Sequence, residues 1–286
     1  MVKLSFGTHP DKKVEIERPN NFDIGQIFDC GQCFRFNRCG ENAYEGVAFD
    51  RYIKIVQTGG RVIFYGTDED DFEGIWAPFF DLGTDYGAII DSFGDDKVLR
   101  KAADYASGIR ILRQDKWETL CSFIISQNNN IPRIKGIIDN MSKRFGNLIW
   151  KNDGREFYSF PTAKSLYEAG EEEIFALKTG FRARYINDAA RTVTENPFFL
   201  TEVSALDTPS ASEKLQQIKG VGNKVAACTL LFGFARNDAF PVDVWVKRIL
   251  AKYYPDGAGK NLTGKNAGVA QQYLFYYERC INNVFI

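Results

Sequence analysis

Residues 215–250 read LQQIKGVGNKVAACTLLFGFARNDAFPVDVWVKRIL. Leu215 and Ile218 end one amphipathic helix, and a second starts near Asn223 and carries Val225, Ala226, Leu230 and Leu231 inward. Between them Gly220-Val221-Gly222 makes a tight turn, because glycine accepts positive φ and close backbone approach. Such a turn aims backbone N–H groups outward beside a helix N-terminus, an anion site suited to one phosphate. A plain helical hairpin would look the same. Lys224 lies in the first turn of the second helix, where the macrodipole favours the neutral, nucleophilic amine. By itself it also reads as a surface lysine. Asp243 follows Pro241-Val242, 19 residues after Lys224, and opens VWVKRIL as an N-cap. A capping carboxylate is held in place and ionised, able to stabilise a cationic sugar, or it only caps.

Outward from this stretch the helical period extends back to about residue 109. Trp117, Leu120, Cys121, Ile124 and Ile125 form one stripe, and Ile134, Ile137, Ile138, Met141 and Phe145 form another. Further helices are expected at about 162–168, 171–177, 183–194, 210–219, 224–235, 243–253 and 265–279. Residues 1–66 alternate instead. KVEIE, CFRF, AYEGVAF, RYIKIVQ and RVIFYG read as strands, with Gly59-Gly60 as a hairpin turn. Trp76, Phe79 and Phe80 suggest short helices laid on that sheet. Strands first and helices after predict an α+β fold. Its expected parts are an antiparallel β domain over 1–108 with one wet face, and a mostly helical domain over 109–286 carrying the helix-hairpin-helix.

The whole chain has 286 residues, 36 Lys and Arg, 37 Asp and Glu, and a formal charge of −1. That near-neutrality conceals a split. Residues 1–108 hold 12 basic and 19 acidic side chains, net −7, and 109–286 hold 24 and 18, net +6. Ten carboxylates fall between Asp68 and Asp96 with no Lys or Arg among them. Asymmetry of this kind points to a polyanion on the basic part. The single histidine, His9, argues against His-ligated metal sites and a Ser-His-Asp triad. Cys30 and Cys33 make one CxxC without a second, and no four-cysteine cluster spacing exists, so no iron–sulfur cluster is expected. No apolar run spans a bilayer, and MVKLSFGTHPDKK lacks a leader's apolar core. The expectation is a monomeric, cytoplasmic, prokaryotic protein with no membrane partner.

The helix–GVG–helix with Lys224, followed by Pro-Val-Asp243, resembles the helix-hairpin-helix, Gly/Pro-Asp superfamily of DNA base-excision glycosylases. Further segments resemble its 8-oxoguanine DNA glycosylase branch: Asn128-Asn129-Asn130-Ile131-Pro132-Arg133, Phe181-Arg182-Ala183-Arg184-Tyr185, Cys30-Gly31-Gln32-Cys33-Phe34-Arg35 and Gln271-Gln272-Tyr273-Leu274-Phe275. The resemblance implies roles. Lys224 is the nucleophile and Asp243 the essential carboxylate. Lys219, Gly220, Val221 and Gly222 grip a phosphate, with a cation on the Lys219 and Val221 backbone as an optional addition. The Gly31 carbonyl accepts N7–H of the oxidised base, where guanine offers only a lone pair. Cys228 and Phe275 sandwich the flipped base, and Gln271 meets its Watson–Crick edge. Asn128 fills the vacated space, Phe181 wedges beside the orphan base, and Arg133 and Arg182 read it as cytosine. Members often carry His where this chain has Trp245, which leaves one phosphate contact in doubt.

The implied activity is a bifunctional glycosylase and AP lyase acting on duplex DNA. It would excise 8-oxoguanine through a lysine Schiff base and β-elimination, with no organic cofactor. An alkylbase glycosylase, a non-catalytic DNA-binding module and a thiol enzyme on Cys30 and Cys33 are the competing readings.

Overall fold

The computed structural model describes residues 9–152, 154–257 and 259–282; the N-terminal stretch read for a leader begins outside them, and the His9 side chain is not described. Five strands form one antiparallel sheet in the order β1-β5-β4-β3-β2. They are β1 (His9–Glu17), β2 (Phe36–Gly40), β3 (Ala43–Ala48), β4 (Arg51–Thr58) and β5 (Arg61–Gly66). Thr58 pairs with Arg61, so Gly59-Gly60 is the expected two-residue hairpin turn, with Gly59 at φ 55°. CFRF only half succeeds. The strand begins at Phe36, and Cys33–Arg35 stay in the loop that carries Gly31.

One face of the sheet packs Phe36, Ile53, Ile55 and Phe64 against Trp76, Phe79 and Phe80. Those three aromatics come from a short helical run over 69–80 and are almost wholly buried, as their spacing implies. The opposite face is not simply wet. A second hairpin, Leu148–Asn152 with Arg155–Tyr158, lays Trp150 and Phe157 on Tyr52, with ring centroids 5.7 and 4.6 Å apart. Strand β3 is therefore buried on both sides.

Nine described helices of six or more residues lie beyond residue 109, and their N-caps explain where several begin. Asp115, Asn130, Thr162, Asp207 and Asp243 each accept an N–H from the first turn. The Ala163–Ile174 helix breaks at Gly170, where φ is 77°, which accounts for the two shorter helices the sequence indicated. The acidic stretch has a local use, since Asp68, Asp85 and Asp96 are caps. The Tyr86–Asp91 and Lys97–Tyr105 helices, N-terminal to residue 109, pack into the helical core with Phe123, Ile124 and Tyr273. No described helix is long and apolar enough to cross a membrane.

Arg110 ties the parts together. It is 2% exposed, and its guanidinium donates to the carbonyls of Asn20, Asn21, Phe80, Asp81 and Thr84. Burial without those five acceptors would be prohibitive for a cation. Nearby, the Lys116–Ile125 helix carries Glu118, whose carboxyl is pushed up to about 7, first by burial and then by Asp115 and Asp50, against Arg35.

The folded-state value lies above the ordinary 4.5, so ionised Glu118 destabilises the fold. The destabilisation is absent below about pH 4.5 and complete above about pH 7. Glu118 keeps an edge to solvent, which sets the magnitude low. Glu118→Gln should therefore raise unfolding free energy by about 2 kcal/mol at alkaline pH and by almost nothing in acid. Urea titrations at both extremes check this; an equal gain at both would show that ionisation is not the cause.

Candidate active site

The hairpin is built as the sequence indicates. Gly220 has φ 82°, and a Cβ there would lie 2.3 Å from the Tyr185 ring, so glycine is required twice over. Asp188 accepts the Lys219 N–H at 2.8 Å and also pairs with Arg191, which docks the turn on the Ala183–Glu195 helix. Gly222 caps the Asn223–Gly233 helix without a side chain, so its first N–H groups have no side-chain acceptor, and Gly222 and Asn223 are exposed. That is the geometry of a phosphate seat.

Lys224 sits one residue into this helix and is half-buried. Its Nζ donates to Ser126 Oγ at 3.2 Å and lies 5.0 Å from the Phe123 ring centroid. The amine thus meets one hydroxyl, one aromatic face and the Cys228 thiol, with no carboxylate bonded to it among the described residues. Asp243 caps the Val244–Tyr253 helix and accepts Val246 N–H at 2.9 Å. One carboxylate oxygen is committed to the helix. Both residues line the same cleft.

The other walls of that cleft include Gly31, Cys228, Gln271 and Phe275, so the structure brings the four expected pocket residues together with Lys224 and Asp243. Gln271 is 5% exposed, and its buried Oε1 has no hydrogen-bond partner. A buried orphan acceptor is costly unless something arrives to satisfy it. The Cys228 thiol is buried, and burial pushes its ionisation up despite Lys224 nearby, so it packs as a neutral surface. Phe275 is backed by the Arg279 guanidinium at 5.2 Å. The cleft holds about 50 Å³, well under the ~150 Å³ of a cavity that binds benzene.

Gly31 has φ 82° and follows the Ile24–Asp29 helix. The carbonyls on either side of its own are occupied. Gln272 Nε2 donates to Cys30 O at 2.7 Å, and Gln114 Nε2 donates to Gln32 O at 2.7 Å. The buried Gln32 side chain meets Ile27 O, Arg110 O and Leu112 N. Among the described residues nothing donates to Gly31 O.

The remaining expected residues cluster on an adjoining rim. Asn128 has φ 47°, a left-handed conformation that asparagine tolerates. Arg133 is exposed and donates to Lys178 O at 3.2 Å. Phe181 is 47% exposed, the state of a ring available to wedge. Arg182 differs: it is 2% exposed, and its guanidinium donates to Gln127 O, Asn128 O and Thr179 O. It therefore braces the Asn128 loop here, and reading a base edge would require exchanging those bonds. Trp245 is not in the cleft lining; the Arg248 guanidinium stacks on it at 5.2 Å.

Residues 15–120 match the family described as 8-oxoguanine DNA glycosylase, N-terminal domain. Residues 121–263 match the HhH-GPD superfamily of base excision DNA repair proteins. The chain belongs to the 8-oxoguanine DNA glycosylase family. Within it, the chain is 31% identical over 262 residues to the N-glycosylase/DNA lyase OGG1 of Arabidopsis thaliana, covering 87% of this chain and 72% of that one. It is 39% identical over 177 residues to the N-glycosylase/DNA lyase of Saccharomyces cerevisiae, spanning 58% of this chain and 46% of the yeast protein. Among solved structures, it superposes with a TM-score of 0.87 at 38% identity on the Clostridium acetobutylicum 8-oxoguanine glycosylase/lyase, covering 95% and 99% of the two chains. That protein was solved with double-stranded DNA containing cytosine opposite 8-oxoguanine.

As a member of this glycosylase family, the chain is an enzyme. Its CxxC fits no thiol role, since burial pushes the Cys30 thiol up to about 12 and the Cys33 thiol to about 11. Sequence reasoning missed Ser126, Phe123 and Arg279 as site groups. Ser126 lies two residues before the quoted Asn128-Asn129-Asn130 run, but nothing in one dimension aims its hydroxyl at Lys224.

Proposed function

We propose that this chain excises 8-oxoguanine paired with cytosine and then nicks the abasic strand. The observation that carries the reading is the convergence of Lys224, Asp243, an unpartnered Gln271 Oε1 and a free Gly31 carbonyl on one cleft. Lys224 Nζ, as the neutral amine, attacks C1′ of the flipped nucleotide. The C1′–N9 bond breaks, and its electron pair leaves with the base, which takes up a proton. Positive charge develops on the sugar, and the Asp243 carboxylate offsets it in a partly desolvated cleft. Ring opening gives the Schiff base. Loss of a C2′ proton then expels the 3′ phosphate.

Selectivity rests on one hydrogen. The oxidised base carries N7–H, which Gly31 O accepts, whereas guanine presents an N7 lone pair that this carbonyl repels. Gln271 meets the Watson–Crick edge, while Phe275 and Cys228 hold the base faces. On the rim, Arg133 reads the orphan cytosine, Phe181 wedges beside it and Asn128 fills the gap. The bare amides after Gly222 seat a phosphate, and DNA lies across the basic region with the 68–96 carboxylates turned away. A cation would fit the same hairpin, because no described N–H donates to the carbonyls of Lys219 and Val221. It would lend positive charge to the phosphate seat.

The test uses duplexes with 8-oxoguanine opposite each of the four bases, and a guanine control. Excision and nicking should be fastest opposite cytosine and far slower, though measurable in single-turnover assays, at guanine. Arg133→Ala should flatten the opposite-base preference by about tenfold. Wild-type enzyme that leaves 8-oxoguanine in every duplex would refute the reading.

A further inference from the structure

We infer that Gln272 is a positioning residue for lesion recognition, acting through the peptide that precedes Gly31. The inference rests on the reading of Gly31 O as the acceptor of N7–H. Gln272 is 3% exposed on the Ala267–Ile281 helix, and its Nε2 donates to Cys30 O at 2.7 Å across 242 residues of sequence. Cys30 ends the Ile24–Asp29 helix at φ −82°, ψ 1°, and Gly31 then turns to φ 82°. A glycine with positive φ has wide conformational latitude and will not hold one carbonyl direction unaided.

Two clamps supply that direction. Gln272 holds the peptide plane before Gly31, and Gln114 holds the carbonyl after it at 2.7 Å. The Gly31 carbonyl lies between two restrained neighbours, and no described residue donates to it. Its discrimination is a contrast between one favourable hydrogen bond and one lone-pair repulsion. Both terms decay within a few tenths of an ångström, so the contrast depends on restraint rather than on mere presence of the carbonyl.

Helix geometry adds a coupling. Gln271 and Gln272 are consecutive, so they leave the helix about 100° apart. Both line the cleft, Gln271 with an unpartnered Oε1 and Gln272 with its Nε2 spent on the recognition loop. The last helix therefore sets the distance between the group that meets the base edge and the carbonyl that tests N7. Any helix shift moves both together.

The experiment compares wild type, Gln272→Met and Gln272→Glu in single-turnover excision from 8-oxoguanine:cytosine and guanine:cytosine duplexes, with nicking of a preformed abasic site alongside. Gln272→Met keeps the shape but leaves Cys30 O unpaired. It should lower the 8-oxoguanine-to-guanine ratio by about tenfold, the worth of one hydrogen bond. Gln272→Glu places a carboxylate against a carbonyl when ionised but regains a donor when protonated. Its ratio should recover toward wild type between about pH 8 and about pH 5, while the Met variant's ratio stays flat. A purely structural residue would show no such pH-dependent rescue. A wild-type ratio in Gln272→Met would overturn the inference. So would a parallel fall of excision and abasic nicking in both variants at every pH. Wild-type enzyme that released guanine as fast as 8-oxoguanine would overturn the Gly31 reading itself, and this inference with it.

Discussion

Lys224→Gln should abolish the covalent adduct that borohydride traps on an 8-oxoguanine:cytosine duplex. It should also lower base excision by about a thousandfold or more, close to 4 kcal/mol of lost transition-state stabilisation. The size follows from what the side chain touches. Nζ meets Ser126 Oγ, the Phe123 face and the Cys228 thiol, and no ion pair among the described residues binds it in place. Glutamine is similar in length and can still bond Ser126, so the fold should survive and melting should shift little. What disappears is the nitrogen lone pair that forms the new bond to C1′. Affinity for abasic-site DNA, measured by gel shift, should stay within a few-fold, because the phosphate seat is backbone. An adduct in the variant as strong as in wild type would mean that another amine is the nucleophile.

Asp243→Asn should produce the second largest loss, about a hundred- to a thousandfold in the excision rate, with protein stability nearly unchanged. The two effects separate because Asp243 has two tasks. Its cap to Val246 N–H at 2.9 Å needs only an oxygen acceptor. Asparagine caps helices about as well as aspartate. Its other task needs full negative charge facing a developing cation, which an amide lacks. Chemical denaturation should therefore give a change within about 1 kcal/mol of wild type, while single-turnover excision collapses. A stability loss matching the activity loss would reduce Asp243 to a structural cap.

Much of this was legible in one dimension because the signals were local. A Gly-x-Gly turn between two apolar stripes, a lysine one step into the next helix and an aspartate opening another are all short-range statements. The strands alternate, and the structure follows them. The 148–158 hairpin escaped because its apolar residues are few and its partner surface, Tyr52, lies about a hundred residues earlier. Helices 86–91 and 97–105 show another limit. Their apolar faces are evident, but a face does not name the core it will join.

In the site, Gly31, Lys224, Cys228, Asp243, Gln271 and Phe275 came together in the cleft, and the asparagine and arginine motifs on its rim. Those that act through other residues stayed hidden. Gln272 leaves one trace, a polar side chain on the inward face of an apolar helix, and only the folded chain reveals Cys30 O as its target. Arg182 looked like a base reader, yet its guanidinium is occupied by loop carbonyls. That occupation depends on how the Asn128 turn folds back.

The smallness of the cleft bears on the safety of undamaged DNA. At about 50 Å³ its enclosed space is smaller than a cavity that takes benzene, so the proposed reading has the walls part before a base reaches Lys224. An intact guanine and a lesion demand the same opening. On the proposed reading, only the lesion brings the donor that Gly31 O lacks, and with it the means to keep the walls apart. The Lys224 amine would thereby sit behind a door that normal bases can push but not hold, and an encounter with undamaged DNA would end before a sugar carbon came within reach of it.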